Sequence, residues 1–228
     1  MMDHAHDLAS VRDATERLLI AVAKLDDAAV AKPSRLPGWT RGHVLAHLSR
    51  NADALVNVLE GRPMYVSAEA RDADIERDAS RPLDAQLADL RESAARFQQA
   101  GAAPADWSRT VELRNGVTDA AARVPFRRWI EVELHHVDLG IGYELEDLPL
   151  EFAEREIDFL TQRFTGQTGV PPTRVTDGTR AWSTGRDAAE PEVTVRGPAP
   201  VLLGWLAGRG DGSALDVEGG SLPKLPPL

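Results

Sequence analysis

Outside its first six residues, this chain keeps every histidine in two short segments. One reads His43-Val44-Leu45-Ala46-His47; the other reads Glu131-Val132-Glu133-Leu134-His135-His136-Val137-Asp138. Imidazole with carboxylate is a donor set that suits zinc. Glu131 and His135 are four apart, so on a helix they share a face and can grip one ion. His47, from a facing helix, would be the third ligand. Three protein ligands with an open fourth position describe a catalytic zinc rather than a structural one. His43 is one turn before His47, so a ligand set that includes it stays open. Asp138 lies three residues after His135 and can orient that ring from behind. Asn51, one turn after His47, could do the same or touch substrate. On an ideal helix His136 is turned about 100° from His135, and Glu133 about 200° from Glu131. Both should therefore face away from the ion, Glu133 toward solvent or an arginine.

The chain has no cysteine. A metal here is held by nitrogen and oxygen, and any thiol chemistry must use a thiol brought in from outside. A disulfide framework is excluded.

Arg71, Arg81, Arg127, Arg128 and Arg209 are candidate clamps for an anionic substrate, because a guanidinium grips a carboxylate bidentately. Arg209 stands in Ala207-Gly208-Arg209-Gly210-Asp211-Gly212, where glycines let backbone approach a ligand. That spacing is not a phosphate-cradling loop or a dinucleotide fingerprint.

The elements that must position these groups are mostly helical. Apolar residues at helical spacing predict a first helix over 7–30, with Leu8, Val11, Leu18, Val22 and Leu25 on it. A second runs from an N-cap at Thr40 to about Glu60. A polar short helix spans Ala68 to Asp78, and a third long helix spans Leu83 to Ala100. Residues 101–120 read as a connector with a brief strand at Val111-Glu112-Leu113. Pro125 sits in the first turn of a fourth helix that ends at Gly140 as C′ residue. Four such helices make a bundle. After about Leu148 the pattern changes: one more helix over Phe152 to Phe164, short strands at Val175, 181–183 and 193–195, a helix over Val201 to Ala207, and a proline-rich tail over Pro223 to Leu228. The expected organisation is a bundle over 1–147 and a small α+β domain over 148–228. Trp39, Trp129 and Trp205 are expected to pack the bundle and domain junctions, and Trp182 to anchor a strand.

At 228 residues, with 43% hydrophobic and 27% charged residues, the chain has the composition of an ordinary globular protein. A formal charge of −10 gives no support for nucleic-acid binding and makes any local cation matter more for an anionic ligand. Residues 1–10 lack the apolar core of a signal peptide, and the longest apolar run, Ala199 to Ala207, is too short to cross a bilayer. The expectation is a soluble cytoplasmic protein with no membrane or obligate protein partner.

Four segments carry a family resemblance. Leu36-Pro37-Gly38-Trp39-Thr40-Arg41-Gly42-His43-Val44-Leu45-Ala46-His47 resembles the opening of the second helix in the mycothiol-dependent maleylpyruvate isomerases, members of the DinB-like four-helix superfamily. Glu131 through Gly140 is similar to that family's metal motif, and Gly208-Arg209-Gly210 to its C-terminal arginine motif. Pro63-Met64-Tyr65-Val66-Ser67-Ala68-Glu69-Ala70-Arg71 resembles the isomerases more than the wider superfamily. The likeness implies a DinB-like four-helix bundle followed by a smaller α+β domain of sterol-carrier type. It implies zinc on His47, Glu131 and His135, with His43 and His136 outside the ligand set. It also implies mycothiol as cofactor, and conversion of the dicarboxylate maleylpyruvate to fumarylpyruvate in the gentisate route of aromatic breakdown. Arg209 matches the family's catalytically important arginine. Substrate contacts from Arg71 or Asn51 follow from motif position alone. Two other activities fit the same elements: transfer of mycothiol to other electrophiles, and a non-enzymatic zinc- and lipid-binding role.

Overall fold

A computed structural model describes residues 3–227; Met1, Met2 and Leu228 lie outside the described residues, and with them the ends of the polar N-terminus and of the proline-rich tail. The chain divides into two compact units, Met1–Tyr143 and Glu144–Leu228. Among the described residues no helix is long and apolar enough to cross a membrane.

The first unit contains α1 (His4–Val22), α2 (Asp27–Val30), α3 (Arg41–Leu59), α4 (Ala68–Ala79), α5 (Leu83–Ala102), strands β1 (Thr110–Glu112) and β2 (Thr118–Ala120), and α6 (Val124–Asp138). Helices α1, α5, α3 and α6 pack in a ring, each against the next. Leu18, Leu45, Leu48, Leu55, Leu90 and Phe97 are fully buried inside it. That is the four-helix bundle the periodicity predicts. The expected first helix over 7–30 is instead two helices. Asp26 accepts a hydrogen bond from the Ala29 amide at 2.7 Å and caps a new helix, so the chain breaks between Val22 and Asp27.

Helix α3 starts at Thr40, whose hydroxyl accepts from the His43 amide while His43 Nδ1 accepts from the Thr40 amide. α4 is clamped against α3 at its C-terminal end. A Cβ at Gly42 would lie 2.0 Å from the Ala79 carbonyl oxygen, so only glycine fits there. Gln86 on α5 donates to the Asp78 carbonyl at 2.8 Å, and the buried Asp78 carboxylate takes Arg50, Arg77 and Arg81. The 101–120 connector holds an antiparallel hairpin of β1 and β2, in register Thr110 opposite Ala120, closed by a turn with Asn115 in the left-handed region (φ 60°).

The second unit holds α7 (Leu150–Arg163), β3 (Thr173–Thr176), β4 (Ala181–Thr184), β5 (Val193–Arg196), α8 (Ala199–Leu206) and β6 (Asp216–Glu218). The sheet order is β4-β3-β5-β6, with β3 and β5 parallel and the outer pairings antiparallel. α7 packs on α8 and β4, and Phe152, Ile157, Leu160, Val175, Val195 and Leu203 form the core. The sequence does not foretell β6: three residues, two of them acidic, give no alternation to read.

Candidate metal centre

His47 lies in the second turn of α3, and Glu131 and His135 lie one turn apart on α6. The packing of α3 on α6 brings one ligand atom from each within 4.8 Å of the others. The carboxylate oxygen Oε2 of Glu131 is 2.9 Å from His47 Nε2 and 3.2 Å from His135 Nε2. The two imidazole rings stand nearly perpendicular, centroids 4.6 Å apart. Two imidazole nitrogens and one carboxylate oxygen converging from two helices are a donor set that suits a divalent ion of zinc type. The residues fit such an ion.

The groups behind the triad set its chemistry. Asp138 is buried, and its Oδ2 lies 2.8 Å from His135 Nδ1. This contact keeps a proton on His135 Nδ1 and turns Nε2 toward Glu131, where it donates to the carboxylate in the absence of an ion. Burial opposes a charge on His135, yet the Asp138 and Glu131 contacts together raise its pKa above the ordinary histidine value. Burial likewise opposes ionisation of Glu131, and hydrogen bonds from His135 and His47 outweigh it, so that carboxyl stays well below its usual range. His47 goes the other way. Burial dominates there and pushes its pKa down to about 4, so the ring is neutral at physiological pH.

Arg71, at the start of α4, reaches the far side of the His47 ring: its Nη2 is 3.1 Å from Nδ1. Its Nη1 pairs with Asp72, and its guanidinium carbon lies 5.8 Å above the Tyr65 ring. Trp39 closes the other side, its ring 5.5 Å from that of His47. Burial, and next the charge of Glu131, raise the Tyr65 pKa. The sequence reading expects packing from Trp39 and gives Tyr65 no task. The signal for both lay in the motifs: Trp39 stands within the segment that ends at His47, and Tyr65 precedes Arg71 by six residues.

The other expected residues fall elsewhere. His43 is spent on the helix cap and on Glu76, at 3.1 Å from Nε2. His136 stacks on Tyr143 at 4.0 Å. Glu133 is buried, not solvated, and accepts from Arg17 (2.6 Å), Trp129 Nε1 (3.0 Å) and Tyr143 (2.8 Å). Asn51 is buried, and its Oδ1 accepts from Arg128 Nη1 at 2.8 Å. The same Nη1 donates to the Leu48 carbonyl at 2.9 Å. Arg128, only 1% exposed, therefore straps α6 to α3 one turn from the triad, and burial lowers its pKa to about 10. Arg81 is taken by Asp78 and Asp89, and Arg127 by Asp119. Arg209 belongs to the second unit, where its Nη1 donates to the Ala207 carbonyl at 2.7 Å on the turn after α8.

Comparison with known proteins shows the family of this chain. The family profile described as the mycothiol maleylpyruvate isomerase N-terminal domain matches residues 11–140, and its counterpart, the MDMPI C-terminal domain, matches residues 147–226. Two crystal structures of mycothiol-dependent maleylpyruvate isomerase, one of a histidine-to-alanine mutant, superpose with TM-scores of 0.88 for the mutant and 0.87 for the other. Each is 28% identical and covers 99% of this chain and 97% of its own. No curated protein matches.

Proposed function

We propose that this chain, which belongs to the mycothiol maleylpyruvate isomerase family, isomerises maleylpyruvate to fumarylpyruvate with mycothiol as thiol and zinc held by His47, Glu131 and His135. The observation that carries this reading is the convergence of those three side chains, with Asp138 behind the His135 ring.

A conjugated double bond cannot rotate while its π bond is intact; reversible addition of a thiolate makes it single, and zinc favours thiolate at neutral pH by lowering a thiol pKa that is ordinarily about 8.5. The protein's own part is to hold and to neutralise. Asp138 fixes the His135 tautomer, which keeps its Nε2 lone pair available. Neutral His47 and ionised Glu131 complete a donor set of net charge −1. Trp39 covers the His47 ring and limits water beside it. The substrate is a dianion, and addition pushes further negative charge onto its carbonyl oxygen. Arg71, beside the triad, is suited to meet a carboxylate or that oxygen. By the family motif, Arg209 supplies a second cation. The likeness also supports a place in the gentisate route and in the cytoplasm, and a C-terminal domain of sterol-carrier type over 148–228.

The test is a reconstitution: zinc-loaded protein, mycothiol and maleylpyruvate, followed by NMR. Fumarylpyruvate should form only when all three are present, with mycothiol recovered unchanged. Steady accumulation of a mycothiol thioether would make the protein a transferase instead, and no reaction at all would overturn the reading.

A further inference from the structure

The first unit carries a cleft of about 550 Å³ between the segment 58–68 and the β1–β2 hairpin. It is larger than the triad needs. Clefts of about 300–1,000 Å³ take drug-sized ligands, and a small keto diacid would leave most of this one unfilled. Tyr65 lines the cleft and links it to the metal centre, because Arg71 lies over the Tyr65 ring and touches His47. The lining is mixed. Val58 and Met64 contribute apolar surface, and Arg62, Arg109, Arg114 and Asn115 contribute planar hydrogen-bonding groups. Arg62 is held by Asn57 and Glu60, and Arg109 by the Leu59 carbonyl. The side chains of Arg114 and Asn115 have no hydrogen-bond or ion-pair partner among the described residues. Both sit on the hairpin turn, whose backbone is fixed by the β1–β2 pairing on either side.

We propose that this cleft seats the hydroxyl-rich body of the thiol cofactor, with Arg114 and Asn115 as its hydrogen-bonding contacts and the sulfur end directed past Tyr65 to the triad. The inference rests on the proposed isomerase reading, and it assigns the part of the site that the metal ligands leave open. Mycothiol carries its cysteine on two polyhydroxylated rings. Such a body has no charge to pair but many hydroxyls to satisfy, and it needs both length and mixed lining. The smaller, doubly charged substrate is served by the cation already at the triad.

Two measurements test it on the full-length, zinc-loaded protein, with Arg114→Ala and Asn115→Gly. Arg114 and Asn115 are exposed turn positions, and glycine keeps the left-handed backbone at 115. Calorimetric titration uses S-methyl mycothiol, which cannot react. Wild type should bind it, and each variant should bind about tenfold more weakly, the loss of one hydrogen bond to a charged or amide donor. In turnover, the variants' KM for mycothiol should rise by a similar factor while KM for maleylpyruvate and zinc content hold. A rise in KM for maleylpyruvate alone would give the cleft to the substrate, and unchanged binding in both variants would overturn the assignment. If wild type does not isomerise maleylpyruvate, the titration still decides the cleft: binding lost in both variants supports it, and no binding by wild type sinks it.

Discussion

Arg71 donates to the Nδ1 of His47, the ring nitrogen opposite the one that faces Glu131. A guanidinium can only donate. Nδ1 is therefore the acceptor, and the proton of this neutral ring sits on Nε2, directed at Glu131. An ion bound through Nε2 requires the proton on Nδ1, which is incompatible with the Arg71 contact. Arg71 and metal thus compete for the state of one imidazole. Arg71→Ala should tighten zinc binding about tenfold, the scale of one charged hydrogen bond, while raising KM for maleylpyruvate. Competition against a chromophoric chelator measures the first effect. Unchanged or weaker zinc affinity would show that the two groups do not oppose each other.

Asp138 meets the triad through His135. Asp138→Asn should lower metal affinity or activity about 10- to 100-fold, as loss of such a partner typically does, with little change in folding. His47→Ala should abolish stoichiometric zinc altogether. Metal analysis of both purified variants, alongside circular dichroism, separates the two outcomes. Full zinc in the His47 variant would remove it from the ligand set.

Buried His47 titrates near 4, where a free histidine titrates near 6.5. Between those values the unfolded chain binds a proton that the folded chain refuses, so metal-free protein should lose stability as pH falls through this window. At roughly 1.4 kcal/mol per pKa unit, the loss is bounded at about 3 kcal/mol. Glu131, held low, adds to the acid-side loss as it protonates. His135, raised, works in reverse: its contribution is present at low pH and fades as pH rises through its folded value. Urea unfolding of chelator-treated protein across this range reads the slope. In His47→Leu the slope should flatten; an identical slope would assign the acid limb to the carboxylates alone.

Arg128 joins the two ligand-bearing helices through Leu48 and Asn51. Arg128→Met would leave Asn51 Oδ1 buried without this donor, at about 1–3 kcal/mol, while the Leu48 carbonyl keeps its bond within α3. Denaturant unfolding should show a loss of about 1–3 kcal/mol, and the variant should bind zinc less tightly because α3 and α6 are no longer held at that level. A variant as stable as wild type would contradict the strap.

Arg209→Ala should cut turnover at least a hundredfold, the scale of one lost group that stabilises developing charge, with zinc content intact. Normal turnover would remove Arg209 from the mechanism.

Much of this was legible in the sequence, for identifiable reasons. Glu131 and His135 follow from helical spacing alone, and Thr40 from its side-chain chemistry at a helix start. Choosing His47 over His43 was not possible from spacing, since both occupy one face. The structure shows why they differ: His43 folds back onto Thr40 and Glu76, while His47 is one turn deeper. Glu133 was half legible. Its arginine partner, Arg17, lies 116 residues away, and no local pattern reveals its burial. The split of the first helix hung on one capping aspartate inside a continuous apolar repeat. Arg128 looked like a substrate clamp because sequence gives residue type and not depth.

Helix α4 is fastened at one end and carries Arg71 near the other. Gly42, Gln86 and the Asp78 cluster grip its last turn, and Arg71 stands eight residues before Ala79, about 12 Å along the axis at 1.5 Å per residue. A small tilt at the grip is magnified at the arginine, as at the tip of a lever. Substitutions at positions 42, 78 or 86, none of which meets the chemistry, are therefore a remote means of adjusting where that cation rests.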